Sequence, residues 1–455
     1  MGLLIKNGTL VTADRQFLAD IRIEGDQIVA IGSFNDSFKK DEKLIDASGK
    51  YVLPGGIDPH VHLHLPTPAG YSSDDFASGS RAALFGGTTT LIDFVTPHRN
   101  QYLADALEER KEEAKNCLCD YSFHVSPVAW RPSLQQEIVS LKASGISSFK
   151  MYMAYKESIG LNDADIERVM KVVAAVGGRV TMHCELGDEI DLLRKQFIAE
   201  GKTSPLYHPL SRPAEMEAGA VKQAIALAAK TRCPLYIVHV SSAESLNAIR
   251  EAQAKGQDVL AETCPHYLLL DDSRYQGSFE TAAPFVLSPP LRKKEDNLAL
   301  WEAIADETIQ SVGTDHCPFS MSQKKNGLHD FTKIANGAGG IEHRLALLYT
   351  YGVLEKRISM ERFVALSSTL PAKIFGLYPA KGTLQAGADA DLVIWNPEKE
   401  SIITTKRHHM HCDSDIFEGF RTKGEAETVI KSGQIAVDKG RFNERLPAGR
   451  FLYRQ

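Results

Sequence analysis

This chain of 455 residues has no cysteine pair at zinc-finger spacing, no long apolar run and no surplus of basic charge. Each absence removes a class of protein. The seven cysteines are odd in number and scattered, with only Cys117 and Cys119 close together, so neither a disulfide framework nor a thiolate metal site is expected. They read instead as small buried hydrophobes. No apolar stretch reaches the roughly 18 residues that a membrane helix needs. The opening Met1-Gly-Leu-Leu-Ile-Lys-Asn-Gly8 places a charge and a turn where a secretory signal needs an apolar core, which predicts a cytoplasmic protein. Lys6 stands where a myristoylation signal requires Ser or Thr. A net charge of -6 argues against a nucleic-acid or membrane-surface partner.

What is present is the composition of a soluble enzyme, 43% hydrophobic and 24% charged. The order of its patterns predicts a fold. Leu3 to Ile5, Thr9 to Thr12, Asp20 to Glu24 and Gln27 to Ile31 read as short strands, too few to bury a core of their own. From Tyr51 onward, apolar strands alternate with helices. The strands fall at Gly56 to His62, Thr88 to Val95, Tyr121 to Val128, Ser147 to Met153, Arg179 to Cys184, Leu235 to Val240, Val259 to Thr263 and Ile309 to Gly313. Helical periods lie between them, at Tyr102 to Lys115, Asp163 to Val176, Glu215 to Lys230 and Ser245 to Lys255. This is the pattern of an eight-stranded parallel (β/α)8 barrel. Strand signals return at Ala390 to Trp395 and Thr428 to Gly433, so both chain ends are expected to build one small β-sandwich. The expected division is 1–52 for the N-terminal part of the sandwich, 53–377 for the barrel, and 378–455 for the C-terminal part of the sandwich and an oligomerisation tail.

On this barrel, His60, His62, Lys150, His183, His239 and Asp315 sit in or at the ends of strands one, four, five, six and eight. Barrel active sites form at the C-terminal ends of strands, so residues far apart in sequence converge there. His60-Val61-His62 on an extended segment points both rings to one side. With fifteen histidines in the chain, that pair alone is unspecific; the full set is not. Lys150 is its odd member, because an ammonium beside two cations is driven towards the neutral amine. A neutral amine can add carbon dioxide, and the resulting carbamate can bridge two metals. Two divalent ions carry four positive charges; carbamate, Asp315 and a shared hydroxide cancel three, leaving one to polarise a carbonyl. His60, His62 and Asp315 would complete one metal, and His183 and His239 the other. Zinc suits these ligands, with manganese, cobalt or iron as alternatives.

The chain resembles the amidohydrolase superfamily, and within it the hydantoinase and dihydropyrimidinase family, over essentially its full length. The motifs are Pro54-Gly-Gly-Ile-Asp-Pro-His-Val-His62, Gly86-Gly-Thr-Thr-Thr90, Ser148-Phe-Lys-Met-Tyr-Met-Ala-Tyr155, His183-Cys-Glu185, Val238-His-Val-Ser-Ser242, Leu287-Ser-Pro-Pro-Leu-Arg292, Gly313-Thr-Asp-His-Cys-Pro318 and Asn336-Gly-Ala-Gly-Gly-Ile-Glu342. Further matches are Lys381-Gly-Thr-Leu384, Ala390-Asp-Leu-Val-Ile-Trp395 and Gly449-Arg-Phe-Leu452. The resemblance implies that Lys150 is carboxylated, that Tyr155 contacts the substrate or its oxyanion, and that Ser288 and Asn336 hold the ring amide through backbone groups. It also implies a homotetramer acting on a small cyclic amide. Asp315 would take a proton from the attacking hydroxide and return it to the leaving ring nitrogen, giving an N-carbamoyl amino acid.

Two neighbouring activities and one non-enzymatic role are the alternatives. Dihydroorotases usually carry Arg just after the His-x-His pair and allantoinases Asn, whereas this chain has Leu63-His64. Hydantoinases usually carry Asp where His64 stands, which bears on the substrate-side loop Leu63 to Ser73. Leu65, Pro66, Pro68 and Tyr71 there could form an apolar wall. Relatives that serve as cytoskeletal scaffolds have lost metal ligands, and here all six are present. His64, His98, His124, His208, His266, His316, His329 and His343 read as loop or core residues. His408-His409-Met410-His411 has the look of a metal tract but lies beyond the barrel. Glu185 reads equally as a support for His183 or a buried polar anchor.

Overall fold

A computed structural model describes residues 2–34 and 41–454. Eight parallel strands form the central sheet: Gly56–Asp58, Thr88–Val95, Asp120–Val125, Ser148–Tyr152, Arg179–His183, Leu235–Ile237, Val259–Thr263 and Ser311–Val312. They lie in chain order across the sheet. Every residue of Thr88–Val95 and of Asp120–Val125 is buried, as expected when helices cover a parallel sheet. Helices Leu103–Glu113, Asp163–Ala175, Ala214–Thr231 and Ala243–Ala254 occupy the predicted helical stretches.

Regular strand one stops at Asp58, earlier than expected. Pro59 has no N–H to donate, and the Asp58 carboxylate accepts from the His60 N–H at 3.2 Å. The chain nevertheless continues beside the segment after strand eight. Asp315 N–H donates to the His60 carbonyl at 2.9 Å and His62 N–H to the His316 carbonyl at 2.8 Å. These bonds close the barrel at the rim that carries the site. Below them, the buried Arg344 guanidinium donates to the carbonyls of Ile57 and Val312, at 2.8 and 3.0 Å, joining strands one and eight.

Both chain ends share a second sheet of nine strands, ordered Arg441–Phe442, Gln434–Asp438, Arg421–Lys431, Leu392–Ile402, Tyr51–Pro54, Gly2–Val11, Gln16–Glu24 and Gln27–Gly32, with Glu42–Asp46 also on Gly2–Val11. Strand periodicity splits its side chains between two cores. Leu10, Val52, Leu392, Ile394 and Ile430 pack with Leu384 and Ala388 in a separate core, whereas Val11, Leu53, Val393, Trp395 and Val429 join the barrel's core. The two short strands expected at Leu3 and Thr9 are one long strand with a register shift between Ile5 and Gly8. Asn7 takes a left-handed conformation, φ 63°, at that bulge, so Asn-Gly here bends a strand instead of ending it. All seven cysteines are free and six are buried. No helix among the described residues is long and apolar enough to cross a membrane.

Candidate metal centre

At the closed rim, the Nε2 atoms of His60 and His62 lie 3.2 Å apart, and each lies 3.1 Å from Oδ1 of Asp315. Among the described residues this is the one group of three or more His, Cys, Asp or Glu able to hold a metal ion. Beside it, Nδ1 of His183 is 2.9 Å from Nε2 of His239. The His60 and His239 rings are 5.4 Å apart, so the two groups adjoin. Phe94 packs against His60 and His62, with ring separations of 4.8 and 4.6 Å, and its face lies 4.8 Å from Nζ of Lys150. Five imidazole and carboxylate donors and one amine thus lie close together at this rim. His239 and Asp315 reach it in left-handed backbone conformations, φ 42° and 49°, which non-glycine residues adopt at a cost.

Carboxylates behind the histidines decide which ring nitrogen faces inward. Glu262 Oε1 lies 2.6 Å from Nδ1 of His60, so that nitrogen carries a proton and Nε2 is the atom turned towards Asp315. Glu185 Oε2 lies 2.8 Å from Nε2 of His183 and 2.6 Å from the Arg212 guanidinium, turning Nδ1 of His183 inward. Glu185 is therefore a support for His183. Burial opposes its charge, but Arg212 and His183 outweigh burial and hold the carboxyl well below its usual range.

The electrostatics fit a cation. Burial opposes charge on His60, yet Glu262 and Asp315 overcome it and lift the imidazole to about 9. That point in the protein calls for positive charge. Burial pushes His62, His183 and His239 down, which favours their neutral imidazole forms. Asp315 is half-buried; desolvation opposes its charge, but His60 and His62 hold it far below the usual carboxylate range. Lys150 is 1% exposed, and burial lowers its amine to about 8 despite the nearby Asp315 and Glu262. Among the described residues no hydrogen bond or ion pair holds its Nζ, which instead rests between the Phe94 and Tyr152 rings. Neutral imidazoles, a carboxylate and an unpaired buried amine are a donor set suited to divalent metal.

Of the other expected site residues, Tyr155 has its ring 5.6 Å from that of His183 and the Arg212 guanidinium 5.6 Å from its face. Ser288 has a buried Oγ without a partner, and Asn336 is exposed. Their two segments meet through a 3.0 Å bond from the Gly337 N–H to the Val286 carbonyl. Among the described residues, neither makes a ring contact or hydrogen bond with the histidines. In the substrate-side loop, Leu63 and Leu65 turn inward: Leu63 is fully buried and Leu65 packs on Cys317, Phe319 and Ala335. His64 stacks on Tyr71 with rings 4.0 Å apart. His409 binds Glu342 at 2.9 Å and stacks on Phe85, so the late histidine tract serves packing there. His124, His208, His316 and His343 are likewise hydrogen-bonded. Glu262 and Phe94 were not foreseen. The available signal was an ionisable residue near the end of the apolar strand Val259–Thr263.

A sequence profile of the Amidohydrolase family matches residues 51–436. A D-hydantoinase of Ralstonia pickettii is 40% identical over 458 aligned residues, covering 100% of this chain and 99% of that protein. A D-phenylhydantoinase of Escherichia coli is 41% identical, covering 100% and 98%. The crystal structure of a dihydropyrimidinase from Brevibacillus agri superposes with a TM-score of 0.98 at 41% identity, covering 100% and 99% of the two chains. With the barrel, the second sheet and the His60, His62 and Asp315 cluster in place, the chain belongs to the hydantoinase and dihydropyrimidinase family of the amidohydrolase superfamily, and is a hydrolase of cyclic-amide carbon–nitrogen bonds.

Proposed function

We propose that this enzyme opens the ring of a 5-substituted hydantoin or a dihydropyrimidine, giving an N-carbamoyl amino acid, with two divalent metals per subunit. The observation that carries this is the adjoining of two donor groups, His60, His62 and Asp315 on one side and His183 and His239 on the other, around the unpaired amine of Lys150. His60, His62 and Asp315 would hold one metal and His183 and His239 the second, with Lys150, as a carbamate, shared between them. Zinc is the metal that these donors suit best. Two bound metals would supply Lewis acidity and an activated water.

The chain's own groups then divide the work. Asp315, held ionised, accepts the proton of the attacking water and passes it to the ring nitrogen as the amide bond breaks. Tyr155 donates to the developing oxyanion, and Arg212 over its ring holds it in place. Ser288 and Asn336 hold the ring amide; the partnerless Ser288 Oγ is a group that a ligand would satisfy. The protein works in the cytoplasm as a homotetramer, for which the exposed Leu192, Leu206 and Leu210 are candidate subunit contacts. Residues 1–52 and 378–455 form one structural unit and 53–377 the barrel.

The test is a ring-opening assay of metal-loaded protein on 5-phenylhydantoin, dihydrouracil, allantoin and dihydroorotate. Turnover of one of the first two, and not of the last two, is expected. Preference for allantoin or dihydroorotate would reassign the substrate. Absence of turnover and of bound metal after reconstitution would make the chain a scaffold.

A further inference from the structure

Lys324 lies in Ser322-Gln-Lys-Lys-Asn326, a polar run that reads as solvated surface, yet its side chain is 1% exposed. Among the described residues no carboxylate pairs with it, and burial lowers its amine to about 7, with Cys317 and Cys412 opposing that shift. Its Nζ instead donates to three backbone carbonyls, Val286 at 3.2 Å, Ala335 at 3.0 Å and Gly337 at 2.9 Å. A lysine ammonium has three protons and no acceptor, so all its hydrogen-bonding capacity is used.

These carbonyls belong to two loop segments that no strand ladder stabilises. Ala335 and Gly337 flank Asn336 on both sides, and Val286 precedes Ser288 by two residues. The Gly337 N–H bonds the same Val286 carbonyl at 3.0 Å, and the Cys317 N–H bonds Ala338 at 3.0 Å, two residues beyond Asp315. Contact with that last segment is close, since a Cβ on Gly337 would lie 2.3 Å from the Cys317 carbonyl. A buried amino group is an expensive way to fill space, and an apolar side chain would fill it at lower cost. What the ammonium does that an apolar group cannot is tie three carbonyls to one point.

We propose that Lys324 is a positioning residue: its ammonium fixes the 286–288 and 335–337 segments against the loop that carries Asp315, and so sets the polar floor that receives the ring amide. This rests on the reading of Ser288 and Asn336 as substrate-holding groups.

The test compares metal-loaded wild type with Lys324→Met and Lys324→Gln by steady-state kinetics and amide hydrogen exchange. In Lys324→Met, KM is expected to rise about tenfold or more, as when hydrogen-bonded positioning is lost, with kcat and metal content nearly unchanged. Exchange should accelerate around 286–288 and 335–337 and stay slow around His60 and His62. Lys324→Gln, which can donate two of the three bonds, should fall between and keeps the comparison available if the Met variant does not fold. An unchanged KM in a folded variant, or faster exchange spread over the whole barrel, would overturn the proposal. If the wild type opens no cyclic amide, the substrate reading fails, while local against global exchange still decides whether Lys324 ties the two segments.

Discussion

Glu262 holds three groups at once: the His60 ring at 2.6 Å, the His239 backbone N–H at 3.3 Å and the Tyr236 hydroxyl at 2.8 Å. It therefore orients one histidine from each side of the centre. Glu262→Gln keeps the shape but removes the charge that favours a proton on Nδ1 of His60. Metal affinity should fall about 10- to 100-fold, measured by competition with a chelator; equal affinity would show that His60 needs no such support. Tyr155→Phe acts at the other end of the reaction. It should lower kcat by about 10²- to 10³-fold with metal content unchanged, as removal of an oxyanion donor does. An unaffected kcat would exclude the tyrosine from that role. These residues differ in how far the sequence revealed them. The grouping of His60 and His62 with Asp315, and of His183 with His239, was legible because these residue types at strand ends have a chemical meaning together. Glu262 and Lys324 were not, because a lone Glu in a strand and a Lys in a polar run acquire their roles only from what the fold packs against them.

At the scale of elements, strands were easier to find than their ends. Thr88–Val95 and Val259–Thr263 coincide with the strands read from the sequence, since burial on both faces selects β-branched and apolar side chains, with Glu262 the ionisable interruption in the second. Strand one was read through to His62 because apolar patterning does not register the donor missing at Pro59. Asn7-Gly8 was read as a turn because the same dipeptide serves hairpins and bulges, and only pairing with Gln16–Glu24 distinguishes them. Helical register could not have shown the seam between strands one and eight. Arg344 bridges it with bonds to Ile57, Val312 and Thr88. Arg344→Met would leave buried carbonyls unpaired on both strands, at about 1 to 3 kcal/mol for each. Urea unfolding should show the loss, with hydrogen exchange accelerated first at 57–62 and 312–316; an unchanged midpoint would mean that the loop bonds above it suffice.

Across the whole molecule, a buried ion cluster fastens the second sheet to the base of the barrel. Lys381 Nζ lies 2.6 Å from Asp120 at the start of strand three, 2.6 Å from Asp391 and 3.0 Å from Asp389. Burial opposes both charges, but the acids raise Lys381 above its usual value, and Lys381 with Lys431 hold Asp120 well below its own. A carboxyl with a depressed folded-state pKa contributes stability above its unfolded value of 3.8 and loses it as pH falls through the lowered one. Lys381→Met should therefore cost about 3 to 5 kcal/mol at neutral pH. The deficit should persist down to the ordinary carboxylate range and shrink only below it. Unfolding midpoints across pH 2 to 7 check this, and a deficit independent of pH would assign the cost to packing alone. This position at the base suits a stabilising role, since catalysis in such barrels belongs to the opposite rim.

The central claim is that Lys150 completes a two-metal centre as a carbamate. The most direct measurement is metal content with native mass on protein purified in bicarbonate, beside Lys150→Ala prepared identically. Two metals per chain and one added carbon dioxide in the wild type are predicted, both reduced in the variant and the metals partly restored by a short carboxylic acid. Two tightly held metals in Lys150→Ala without any added carboxylate would contradict the account.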